Sequence, residues 1–288
     1  MTDSEIRLYS LDDNTLDGIK ELSEDTFEQI KNDINIINNY KSHFLVFEYF
    51  QLNLLEFDKL KKKLYNVPVT NIDIKTIESA KFHLEINRVA FNLLSSFRFF
   101  LDHAETHIKR QFGKKSNESK DFKTLTSSFY DEYFSYRFLY KLRNFSQHLG
   151  FPIERTHYKT IHNEINPEKS QGNFKLIVGK STLLKESDLL GALKNEIESM
   201  EGDIDIIPFV YQLGKLVGRL EKRIYSFHSL QLVESISNLE LFAGKYKTST
   251  NNILIIFDSN LQEGQFNTLT IPFDEIKEIE SFKNWNWN

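Results

Sequence analysis

Tyr140-Lys141-Leu142-Arg143-Asn144-Phe145-Ser146-Gln147-His148-Leu149-Gly150-Phe151-Pro152 decides how this chain is read. Gly150 and Pro152 stop a helix, because glycine accepts a left-handed cap and proline cannot continue the ladder. The last turns before that stop carry an arginine, an amide and a histidine. Helical spacing sorts the preceding residues into three stripes. Phe134, Phe138, Leu142, Phe145 and Leu149 form the expected buried stripe. Tyr133, Tyr136, Tyr140, Arg143 and Gln147 form an aromatic stripe that turns polar. Arg137, Lys141, Asn144 and His148 form a third, basic apart from Asn144. A basic stripe beside tyrosines suits phosphates and stacked bases. The bland alternative stands beside it: an Arg and a His near a helix end also serve as partners of the C-terminal dipole.

Working outward, three long helical segments fill the first half. The first is expected over about 25–65, where Phe44, Phe47, Phe50, Leu54 and Phe57 keep helical spacing. The second is expected over about 74–112, ending at Gly113 with Lys109 and Arg110 in its last turn. The third is expected to start near 117–120, capped by Ser116 or Asn117, and to run unbroken to Gly150. Pro152, Pro167 and Gly172 make residues 151–172 read as a loop. A strand over 174–178, helices over about 183–200 and 206–239, and a terminal hairpin of 252–257 with 268–273 follow. The tail 285–288 is expected to be loose or surface-docked. The fold class is therefore mainly α. A long-helix bundle over 20–155 is joined by a small α+β portion over 156–288 with a few C-terminal strands, which either packs on the same core or stands apart from it.

The chain has 288 residues, enough for one large or two modest domains. There is no cysteine, which excludes disulfides, thiolate metal sites and cysteine nucleophiles and fits a reducing cytoplasm. The formal net charge is −5, which is no signature of broad nucleic-acid binding. The N-terminus lacks the basic start and apolar core of a leader, and no apolar run is long enough to span a bilayer. The expected location is cytoplasmic, away from membranes.

Several weaker motifs carry no chemistry. Gly179-Lys180-Ser181-Thr182 ends like a phosphate-binding loop, but Phe174 stands where that loop needs its first glycine. His103 and His107 are one turn apart without the zinc-protease glutamate. Glu154 and His157 supply a single Glu-x-x-His, where a di-iron bundle needs two on helices. Gly214 and Gly218 fit close helix packing. No metal and no cofactor are expected.

Arg143-Asn144-Phe145-Ser146-Gln147-His148 resembles the Arg-polar-(x)n-His motif of the HEPN superfamily, with four residues between Arg143 and His148 and Asn144 at the polar position. The resemblance covers roughly residues 25–155. It implies a helical bundle that forms a homodimer with two motifs in one cleft. It also implies a metal-independent endoribonuclease of a prokaryotic defence or toxin-like system, held in check by a regulatory protein or antitoxin. By position, Arg143 would stabilise the phosphorane and His148 would move protons. Asn144, Gln147 and Asp102 would support them, and Arg137, Tyr140 and Lys141 would hold RNA. Asp102 can pair with Arg143 or, more simply, with Arg98. Cleavage would leave a 2′,3′-cyclic phosphate and a 5′-hydroxyl. The superfamily also holds members that only bind, so a non-catalytic module for RNA, a nucleotide or a protein partner is the alternative. On an ideal helix five residues turn about 140°. Arg143 and His148 can then share one phosphate only if the helix end distorts or a second copy supplies one of them.

Overall fold

A computed structural model describes residues 6–12, 15–64, 67–68, 79–247, 253–259 and 267–283. In chain order the elements are β1 (Ile6–Asp12), β2 (Thr15–Glu21), α1 (Glu24–Leu64), β3 (Val67–Pro68), α2 (Ala80–Phe112), α3 (Asn117–Glu132), α4 (Phe134–Leu149), β4 (Arg155–Ile161), β5 (Gln171–Val178), α5 (Lys180–Lys185), α6 (Ser187–Leu190), α7 (Leu193–Ser199), β6 (Ile204–Asp205), α8 (Ile207–Ala243), β7 (Ile253–Asp258), β8 (Asn267–Thr270) and α9 (Phe273–Lys283). The protein is mainly α with a small β portion. No described helix is long and apolar enough to cross a membrane.

The chain forms two compact units, one of residues 1–44 with 225–288 and one of 45–224. This differs from the boundary expected at 155. The long helices α1 and α8 each contribute to both units, so the dividing points fall inside helices rather than in the polar segment after Gly150.

In the first unit a sheet of order β2-β1-β7-β8 is antiparallel throughout. The terminal hairpin is present, but it continues into an N-terminal hairpin that sequence reading missed. Leu8 and Leu254 are fully buried between ladder neighbours. Phe273 opens α9 instead of ending a strand, with Asp274 and Glu275 suited to the first turn. Asn252 and the tail 285–288 lie outside the described residues.

In the second unit α1 packs its phenylalanines onto α2, with the Phe47 and Phe100 rings 5.9 Å apart. Ser79 caps α2 by accepting the Phe82 N–H at 3.2 Å, so this helix begins at Ala80, and the start expected near 74 falls on residues that are not described. Residues 69–78 lie outside the described residues. The expected third helix is two helices, because Tyr133 is extended at φ −110°, ψ 111°. The expected helix over 183–200 is three short ones, α5, α6 and α7. The expected loop 151–172 contains β4, which pairs antiparallel with β5 from Arg155↔Ile177 to Ile161↔Gln171. Gly179 sits against the Glu154 carboxylate, where an added Cβ would meet an oxygen at 2.3 Å. Lys180 does not reach into a phosphate cradle; its Nζ donates to the carbonyls of Glu198 and Met200, each at 2.7 Å.

Candidate functional site

The motif helix α4 owes its start to a break. Glu132 ends α3, and the carbonyls of Tyr130 and Asp131 lose their helical partners. The Arg137 guanidinium reaches back to both at 2.7 Å and also pairs with Glu196 at 2.7 Å. Arg137 is therefore a cap with only 14% of its side chain exposed, and it leaves the basic face that was expected to hold RNA. Its two terminal nitrogens are taken by two carbonyls and a carboxylate, which leaves only a buried Nε–H without an acceptor, as in Arg143, and makes it a poor phosphate ligand.

The buried face of α4 is wider than the expected stripe. Phe138, Leu142 and Phe145 are buried as expected, and Ser135, Tyr136 and Leu139 join them. Tyr136 is wedged edge-on against Phe97 at 5.2 Å and Phe129 at 6.1 Å. Leu149 is left 46% exposed, because the helix ends there. Gly150 terminates it at φ 108°, a value that a side chain would strain.

Arg143 is half-buried and meets only neutral oxygens. It donates to the side-chain amide oxygens of Gln147 and, at 3.5 Å, of Asn144. Its Nε–H is shut from solvent without an acceptor. No carboxylate pairs with it among the described residues. Arg88, Arg98, Arg137, Arg155 and Arg223 each pair with at least one, whereas Arg110 and Arg219, like Arg143, pair with none among the described residues. The fold thus brings Arg143, Asn144 and Gln147 together around an uncompensated positive charge.

His148 is exposed in the last turn of α4 and makes no hydrogen bond among the described residues. The helix stays regular through Leu149. The offset of about 140° between Arg143 and His148 therefore persists within one chain. No hydrogen bond joins the two.

Asp102 does not support Arg143. It grips Arg98 in a two-point pair at 2.7 and 2.8 Å, and the turn spacing of α2 explains that choice. Arg98 in turn donates to the Tyr140 hydroxyl and lies 5.0 Å from that ring's centre. Lys141 is half-buried with no ion pair among the described residues.

Sequence reading missed two residues that face α4 across the break, Lys123 and Tyr130 of α3. Tyr130 meets Tyr140 edge-on at 6.3 Å. Read as one continuous rod, α3 and α4 could not face each other. The Tyr133 kink has no proline or glycine to betray it.

His103 and His107 stack at 6.4 Å, and the described residues hold no cluster of three or more His, Asp or Glu able to bind a metal. Comparison with protein-family models, with curated proteins and with solved structures finds no match to this chain.

Proposed function

We propose that this chain is a HEPN-like, metal-independent endoribonuclease that works as a homodimer in the cytoplasm. The observation that carries this reading is the half-buried Arg143 guanidinium, held by two neutral amides and left without a counter-charge. A half-buried guanidinium with no carboxylate partner among the described residues is available to an anion. The exposed His148 at the end of the same helix supplies a group whose residue type titrates nearest neutral pH.

In this mechanism His148 takes the proton from a ribose 2′-hydroxyl. The 2′-oxygen attacks the adjacent phosphorus, and the bond from phosphorus to the 5′-oxygen breaks. The products are a 2′,3′-cyclic phosphate and a 5′-hydroxyl, the latter protonated by the imidazolium of a second His148 or by water. Arg143 neutralises the charge that builds on the phosphorane oxygens. Gln147 and Asn144 hold its fork in place. A role in a prokaryotic defence or toxin-like response, with a regulatory partner, follows from the resemblance of the motif.

The offset of Arg143 from His148 favours a second reading, in which the same face binds RNA, a nucleotide or a protein without turnover. Cleavage of mixed RNAs in EDTA separates the two. The enzyme cuts with EDTA present, and Arg143→Ala and His148→Ala each lose at least about 100-fold, the scale of acid–base and electrostatic contributions. An inert wild type, or both variants cutting normally, ends the enzymatic reading.

A further inference from the structure

A cavity of about 450 Å³ opens between α2, α3 and α4, one turn before Arg143 along its own stripe. Pockets for small ligands run from roughly 300 to 1,000 Å³, so one nucleotide fits. Its walls are aromatic. Tyr130 and Tyr140 stand edge-to-face at 6.3 Å, and Phe122 joins them in the lining. Its mouth is cationic. Lys123 is exposed, Lys141 is half-buried, and neither has an ion pair among the described residues. Arg98 is the only wall cation whose charge Asp102 already answers. Glu105 at the rim is likewise answered by Lys109 at 2.5 Å.

Tyr136 adds an observation of a different kind. It is 3% exposed and lines this cavity. A phenol can both donate and accept, which suits the mixed edge of a nucleobase. Burial also pushes this phenol's pKa up, so it stays a neutral donor.

We propose that this cavity is a base pocket for single-stranded RNA, holding the nucleotide next to the phosphate that Arg143 grips. The base lies against Tyr130 and the side of Tyr140 that Arg98 leaves open, its edge meets the Tyr136 hydroxyl, and Lys123 and Lys141 take the phosphate on its other side. Tyr140 and Arg143 are three residues apart on α4, an axial step of about 4.5 Å. A base in the pocket and its neighbouring phosphate at Arg143 therefore sit within one nucleotide of each other. The inference rests on the RNA reading above but not on catalysis.

The test is fluorescence anisotropy with labelled, uncleavable 2′-O-methyl oligonucleotides of the four homopolymers, using the full chain. Tyr130→Ala and Lys123→Glu change exposed or half-exposed positions of α3, and Tyr136→Phe removes one oxygen while keeping the ring in the core. Tyr130→Ala and Lys123→Glu weaken binding about ten-fold or more, the scale of one lost base stack. Tyr136→Phe leaves overall affinity within a few-fold and flattens the preference among the four bases. Wild-type affinity in both Tyr130→Ala and Lys123→Glu, or no binding by the wild type, overturns the pocket. Tight, pocket-dependent binding without cleavage keeps the pocket and removes the nuclease. Cleavage lost in Arg143→Ala but indifferent to the pocket variants does the reverse.

Discussion

Asn87 shows how one amide can hold the segment after α4 in place. It is 2% exposed, and its Nδ2 donates to the carbonyls of His83 and Ile153, each at 3.0 Å. Its Oδ1 accepts the Ile153 N–H, also at 3.0 Å. The side chain thus copies a strand partner for Ile153, three residues beyond the Gly150 that ends α4. Asn87→Ala strips both backbone groups of a buried residue of their partners. The expected cost is roughly 1–3 kcal/mol, the desolvation penalty of such groups. Urea titration reads it as a lower midpoint with an unchanged slope, and a wild-type midpoint refutes the role. Asp58 carries a pH signature. Hydrogen bonds from Lys62, at 2.8 Å, and Tyr211, at 2.6 Å, hold its carboxyl below the ordinary 3.8. A depressed carboxylate stabilises the fold above its unfolded value and loses that contribution as pH falls through the folded one. The wild type therefore loses stability below about pH 4 more steeply than Asp58→Asn does. Urea midpoints taken across that range measure the difference, and parallel curves count against it.

The element that matters most for the site is the break at Tyr133. It turns one expected rod into two facing helices and creates the cavity wall. Its capping cation, Arg137, donates to the Tyr130 and Asp131 carbonyls, so Arg137→Ala leaves the end of α3 unbonded and frees Glu196. Charge-assisted bonds of this kind contribute roughly 1.5–3 kcal/mol. A lower melting temperature in Arg137→Ala, with only partial rescue by Arg137→Lys because an ammonium lacks the planar fork, fits the capping role. Full rescue by lysine does not. The ends of α1, of α2 at Gly113 and of α4 at Gly150 were legible, because phenylalanine periodicity and a glycine stop are local signals. The break was not, since an arginine reaching seven residues back leaves no trace in propensity. β4 was hidden for another reason. Its half-buried residues are Thr156, Tyr158 and Thr160, so the alternation that marks a strand is almost absent from its hydropathy. β1 alternates Ile6 and Leu8 clearly, but its partner β7 lies at the other end of the chain, and no local pattern reveals such a pairing. At the site, Arg143, Asn144 and Gln147 were legible as a helical cluster, whereas the roles of Arg137 and Asp102 depended on neighbours that only the fold supplies.

For the whole molecule the decisive quantity is copy number. A regular α4 keeps Arg143 and His148 apart in one chain, so the proposed chemistry needs two. The second unit presents a face suited to a second copy. Leu45, Tyr49 and Leu52 lie on one side of α1 at 54, 49 and 64% exposure, and Phe99 of α2, at 50%, packs edge-on against Tyr49 at 6.2 Å. Contiguous apolar surface of this kind marks association sites in soluble proteins. Leu52→Glu places a charge on that face without touching the core, and light scattering should report a dimer for wild type and a monomer for this variant. A two-chain cleft has a sharper consequence still. In a two-fold dimer each site takes Arg143 from one copy and His148 from the other. Arg143→Ala and His148→Ala are each inactive alone. When they are unfolded together and refolded as a mixture, about half the dimers are mixed, and each mixed dimer has one complete site. The mixture should regain about a quarter of wild-type cleavage. If Arg143 and His148 instead act within one chain, no mixed dimer contains a complete site and the mixture stays dead. Restored activity with Leu52→Glu unable to restore it would place the reaction at the seam between copies.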